Sequence, residues 1–117
     1  MDSILNSAKK KLGIEKDYTH FDEGDLIDHI NTIFMDLRRL GVGPSEGFII
    51  EDDSAFWDDF LDDPLKLQGV KTYMHLRLRL IFDPPTSSAV ITSYQQQIDK
   101  LEWCLNSEAE LLDKSTT

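Results

Sequence analysis

Several groupings of side chains in this sequence have types and spacings that invite a chemical reading. His29 follows Asp25 by four residues, one helical turn, and His20 and Asp22 lie shortly upstream. Imidazole and carboxylate on one helix face are the beginning of a metal site. No third ligand sits at a characteristic spacing, so a solvated acidic face is the simpler reading and no metal is expected. The run Glu51-Asp52-Asp53, with Asp58 and Asp59 after it, has the composition of a calcium loop. It lacks both the alternating acid-x-acid-x-acid-Gly order and the closing glutamate. His75, between Met74 and Leu76, has no serine or cysteine motif to serve as base and reads as a packed histidine. Cys104 beside Trp103 reads as a small hydrophobe. Gly41-Val42-Gly43-Pro44 follows a helical pattern, whereas phosphate-binding glycine loops follow a strand. No catalytic residue and no cofactor are expected, and the chemistry is that of assembly rather than turnover.

The composition narrows the field in the same direction. A chain of 117 residues with 40% hydrophobic residues supports one domain with a modest core. Its formal net charge of −10 argues against a general nucleic-acid binder and against an anionic membrane surface. The single cysteine excludes an internal disulfide and a cysteine zinc cluster. The N-terminal charges follow the short apolar stretch instead of preceding it, the wrong order for a secretory signal. No apolar run approaches the roughly 20 residues that span a bilayer. A reducing compartment and no membrane partner are the expectation.

The elements that must position these residues read as helices separated by short breaks. Residues 2–12 form a short amphipathic helix on Ile4, Leu5, Ala8 and Leu12, stopped by Gly13. In residues 22–40, Leu26, Ile27, Ile30, Ile33, Phe34, Leu37 and Leu40 follow three-and-four spacing, with Asp22 as the cap and Gly41 as the stop. Residues 41–53, with three glycines and a proline, form a long loop in which Phe48-Ile49-Ile50 offers a short extended segment. Ser54 is expected to cap a brief helix carrying Phe56, Trp57, Phe60 and Leu61. Asp63-Pro64 restarts the chain as a helix to Phe82, apolar on most of its circumference. The alternation of Leu76, Leu78 and Leu80 with Arg77 and Arg79 also fits a strand. The phase set by Leu67, Val70, Tyr73 and Met74 favours helix. After Asp83-Pro84-Pro85, residues 86–88 cap a last helix whose Tyr94, Ile98, Leu101 and Leu105 form a packing seam. The expected fold is all-α, a bundle of four to five helices, with one domain over 1–112 and a frayed tail at 113–117.

Charge is distributed unevenly along this frame. Between Glu46 and Asp63 there are eight acidic residues and no basic one, while the helix from Pro64 to Phe82 carries Lys66, Lys71, Arg77 and Arg79 and no acid. Either the acidic segment folds over the basic helix of its own chain, or the acidic loop of one copy meets the basic helix of the next. Head-to-tail contacts of the second kind close into rings when the rotation allows.

Three phrases carry a resemblance: Leu40-Gly41-Val42-Gly43-Pro44; Val70-Lys71-Thr72-Tyr73 leading to Leu80-Ile81-Phe82-Asp83-Pro84-Pro85; and Leu101-Glu102-Trp103. Together, over residues 2–110, the chain resembles the small head-tail connector (adaptor) proteins of tailed bacteriophages and prophages of Gram-positive hosts. The resemblance implies a helical subunit made in the host cytoplasm and built into the virion neck. It implies a dodecameric ring beneath the portal protein that extends the DNA channel without binding DNA specifically. The ring would also present a platform for the next head-completion or tail protein. It places portal-docking residues at Leu105, Leu111 and Leu112, and loop contacts to a neighbour or tailward at Phe48, Ile49 and Ile50. Lys71, Arg77 and Arg79 of the basic helix are the matching candidates on the adjacent copy. A different class, a small acidic phage protein acting as a DNA mimic or as an inhibitor of a host enzyme, needs a stripe of carboxylates. The basic helix and apolar loop do not belong in such a stripe.

Overall fold

The computed structural model describes residues 3–13 and 23–116, with side chains described as far as Asn106. Among the described residues there are five helices and no strand: α1 (Ile4–Lys11), α2 (Glu23–Arg39), α3 (Trp57–Phe60), α4 (Pro64–Phe82) and α5 (Ser88–Thr116). Asp22, expected to cap α2, lies outside the described residues.

Local chemistry sets each helix start. Ser3 Oγ accepts from the Asn6 N–H at 3.3 Å, and three lysines, Lys9 to Lys11, occupy the last turn of α1 where the helix dipole favours cations. Asp63 Oδ1 accepts from the Lys66 N–H at 3.2 Å, with Pro64 at the first helical position of α4. The start of α3 differs from the sequence expectation. Ser54 does not cap it; its N–H and hydroxyl both turn back to Asp52 Oδ1. The helix begins at Trp57, and Asp59 Oδ2 accepts from the Phe56 N–H at 2.9 Å.

The centre of the molecule is α4. It buries Leu67, Val70, Tyr73, Met74, Leu76 and Leu78, which cover most of its circumference, so the leucine–arginine alternation is helical throughout. One side of α4 receives the seam of α5, where Ile98 and Leu105 are buried and Tyr94 and Leu101 pack against the core. Leu105 and Leu101 of that seam lie over Gly69 of α4, where a Cβ would stand 3.9 Å from Leu105 Cδ2 and 4.0 Å from Leu101 Cδ2, ordinary packing distances. The other sides of α4 receive α1 and α2. The start of α1 is tied to the chain ahead of α3 by the bond from Ile4 N to Ala55 O at 3.0 Å. At 29 residues α5 outlasts the 19 residues of α4.

Aromatic rings fill the space between α2, α3 and the long loop. Phe34 lies 4.7 Å from Phe60, 5.1 Å from Phe48 and 6.1 Å from Trp57 between ring centroids. Tilted and edge-on pairs at these distances add to the burial of apolar area. The turn after α2 fits beneath them only because Gly43 has no side chain. Its φ is +89°, and a Cβ would fall 2.6 Å from Phe60 Cζ.

Gly43→Ala therefore carries a left-handed penalty of about 1–2 kcal/mol and displaces a packed ring for about 1–3 kcal/mol more. Gly13→Ala, at φ +76° with open space around it, carries only the first of these. Urea unfolding of the two variants should show the larger loss at position 43; equal losses would contradict this packing.

Candidate functional site

The loop between α2 and α3 is fastened to α2 by two polar side chains. Arg38 Nε donates to Ser45 O at 2.9 Å. Asn31 clamps Ile50 from both sides: its Nδ2 donates to Ile50 O at 3.0 Å, and its Oδ1 accepts from Ile50 N at 2.8 Å. The amide side chain thus takes the place of a strand neighbour, and residues 48–50 form no strand. The clamp turns alternate side chains in opposite directions. Ile50 is 2% exposed, Phe48 packs between Phe34 and Phe60, and Ile49 stands out at 64% exposed. Two of the three nominated loop residues, Phe48 and Ile50, thus pack into the subunit's own core.

Ile49 has a neighbour that the sequence reading missed. Met35, 65% exposed on α2, lines the same groove with Phe34, Arg38, Glu46, Gly47 and Phe48, a space of about 340 Å³. Its signal was an apolar residue off the buried stripe of α2, which otherwise reads Leu26, Ile30, Ile33, Phe34 and Leu37.

Lys71, Arg77 and Arg79 of α4 each meet a group of their own subunit. Arg77 reaches Asp36 Oδ2 at 2.6 Å and the Tyr73 hydroxyl at 3.0 Å. Burial works against its charge, but the hydrogen bonds with Asp36 and Tyr73 outweigh this and hold its pKa above the usual guanidinium value. Burial raises the Tyr73 phenol in turn, and the same hydroxyl bonds Glu102 of α5 at 3.4 Å. Arg79 lies over the Tyr94 ring at 5.9 Å, with its Nε 3.9 Å from Asp83 Oδ2, close enough for charge attraction but not for a hydrogen bond. Lys71 lies over the Trp57 ring at 6.0 Å. The carboxylates that meet the two arginines, Asp36 and Asp83, both come from outside the 46–63 acidic run, whose eight acids are all exposed. Of the nominated docking leucines, Leu105 is buried against α4, and the side chains of Leu111 and Leu112 lie outside the described residues.

The chemistry-bearing residues are scattered. His29 is 3.7 Å from Asp25 and packs edge-on to Phe82, while His20 lies outside the described residues. Among the described residues no three histidine, cysteine or acidic side chains converge as a metal site. His75 lines a cleft of about 300 Å³ between α1 and α4 with Ser7, Lys11, Trp57 and Lys71. The Trp57 indole N–H donates to Ser7 Oγ there at 2.9 Å. His75 Nδ1 is buried without a hydrogen-bond partner, and burial, then Lys11 and Arg79, push its pKa below the ordinary 6.5. A half-buried imidazole between two cations is a poor proton acceptor at neutral pH.

A family model described as phage connector protein matches residues 4–111 of the chain. No curated protein and no solved structure matches it.

Two results follow from this geometry. Ile50→Ser should cost about 2–5 kcal/mol, as for emptied core sites, and Ile49→Ser should stay within about 0.5 kcal/mol, as for a surface change, both read from urea midpoints. For His75, the unfolded chain accepts a proton near pH 6.5 that the fold resists. Stability present above that pH is lost as the pH falls toward the lowered folded value. Wild type should lose more between pH 8 and pH 5.5 than His75→Gln, in which the other titrating groups are unchanged; equal losses would refute the assignment.

Proposed function

The chain belongs to the phage connector protein family, and on that premise we propose that it is a structural subunit of the virion neck that assembles as a ring beneath the portal. The observation that carries this reading is the family match across residues 4–111, nearly the whole chain. In this role the ring, expected to be dodecameric, extends the DNA channel and offers a platform to the next head-completion, stopper or tail protein. DNA passes through it without being read.

The physical character of the subunit supports the proposal. A conduit for DNA must repel phosphate rather than hold it, and a net charge of −10 suits that task. The acids of the 46–63 run all face solvent, available to line a passage or to keep copies apart until they dock. Large apolar side chains remain exposed on several helices, including Met35, Leu65, Ile81 and Trp103 as well as Ile49 of the loop. A ring subunit needs such surface for its neighbours. The portal-facing contact in this proposal belongs to the C-terminal end of α5, around Leu111 and Leu112, because Leu105 is already committed to α4. Between copies, Ile49 is the loop residue positioned to reach outward.

Quantitative mass spectrometry of purified virions provides the test. The protein should be present at the same copy number as the portal protein. Absence from finished particles, with abundant protein in infected cells, would replace the connector role with that of a soluble inhibitor or mimic.

A further inference from the structure

The ring reading leaves open which surface of one copy meets which surface of the next. We infer that Trp103 of one copy seats in the groove that Met35 and Ile49 form on the adjacent copy, joining consecutive copies head to tail. The inference rests on the ring reading and assigns its contact.

The groove and the tryptophan are both apolar and both open. The groove holds about 340 Å³, is lined by Phe34 and Phe48, and carries the exposed side chains of Met35 and Ile49. Trp103 is 70% exposed on α5. Its neighbours two residues away on either side, Leu101 and Leu105, face Gly69 of α4. At 100° per residue this points the indole away from the bundle. Tryptophan buries on the order of 150–250 Å² when covered and is among the residues most often found as an interface anchor.

Their placement on opposite flanks decides the type of contact. On α2, Asp36 faces Arg77 of α4 and, with Tyr73 and Glu102, borders α5. Arg38 lies about 200° further round the same helix and holds the loop through Ser45 O. The groove beside Arg38 is thus on the flank away from α5, while Trp103 projects from α5 on the other. A two-fold contact needs both halves within one self-complementary patch; features on opposite flanks give a heterologous contact that repeats from copy to copy.

Charge matches as well. Arg38 and Glu46 border the groove. Asp99 and Lys100 precede Trp103 by four and three residues, on the turn of α5 next to it. Each charge beside the tryptophan has its opposite beside the groove, which favours this pairing between subunits that otherwise repel.

The test keeps Trp103 in place. In the full-length chain with Cys104→Ser, Glu46→Cys and Lys100→Cys are introduced together and separately, and each form is assembled on the cognate portal ring. Assembly is followed by native mass spectrometry, then the sample is oxidised and run under denaturing conditions. The double variant should give a ladder of covalent multimers and each single variant none. A complete ring without a ladder, or covalent dimers from Glu46→Cys alone, overturns the contact while leaving the ring reading standing. Failure of the unmodified chain to assemble on the portal overturns both. As an independent measure, Trp103→Ala should raise the concentration needed for assembly by about tenfold or more, the scale of a lost interface anchor, without changing the melting temperature. Glu46→Lys should weaken assembly, and adding Lys100→Glu should restore it; an unaffected Trp103→Ala variant or a failed restoration counts against the contact.

Discussion

The pairing of Arg77 with Asp36 is the interaction around which the bundle is arranged. A guanidinium a quarter exposed, in the middle of an otherwise apolar helix, is tolerable only with a carboxylate and further hydrogen bonds around it. Asp36 supplies the carboxylate from α2, Tyr73 the hydroxyl one turn back on α4, and Glu102 closes the network from α5. The contact fixes how far α2 and α5 can slide along α4, a precision that apolar packing alone does not supply. It also decides which face of α2 remains outward. With Asp36 turned to the centre, Arg38 and Asn31 are left to hold the loop, and Met35 is left at the surface.

That dependence separates what was legible in the sequence from what was not. The helices over 22–40 and 64–82 were readable because leucine, isoleucine and phenylalanine repeat at helical spacing and because Asp63-Pro64 and Gly41 mark the ends. Residues 76–80 were ambiguous for a physical reason. A helix buried on most sides has no polar face to set its period, so alternating leucine and arginine fits two geometries. The restart at Asp63 and unbroken hydrogen bonding to Asp83 resolve it as helix.

The internal contacts of the loop were hidden for the opposite reason. Its glycines and proline announce irregular backbone, but nothing local shows that Asn31, nineteen residues away, satisfies both backbone groups of Ile50. A polar residue on a helix is normally left to solvent in a sequence reading, so the clamp and the burial of Phe48 and Ile50 stayed hidden. The charge pattern had the same weakness. The basic helix and the acidic run are real blocks in the sequence, yet the carboxylates that meet Arg77 and Arg79 are Asp36 and Asp83, which lie outside the acidic run.

The eight acids of the 46–63 run are all exposed, so their negative charge acts between copies. Subunits of net charge −10 repel at distances up to about a Debye length, roughly 8 Å at physiological ionic strength. Contact between them must then come from short-range apolar burial and locally matched charges, which act only when two copies are already placed. Within the proposed role this is useful. A subunit that associates poorly in free solution does not form rings in the wrong place. Held side by side on a platform, the same subunits meet at an effective concentration far above that of the solution, so a weak contact suffices. Long-range repulsion and a small apolar contact together make assembly depend on the docking surface, which is where a ring is needed.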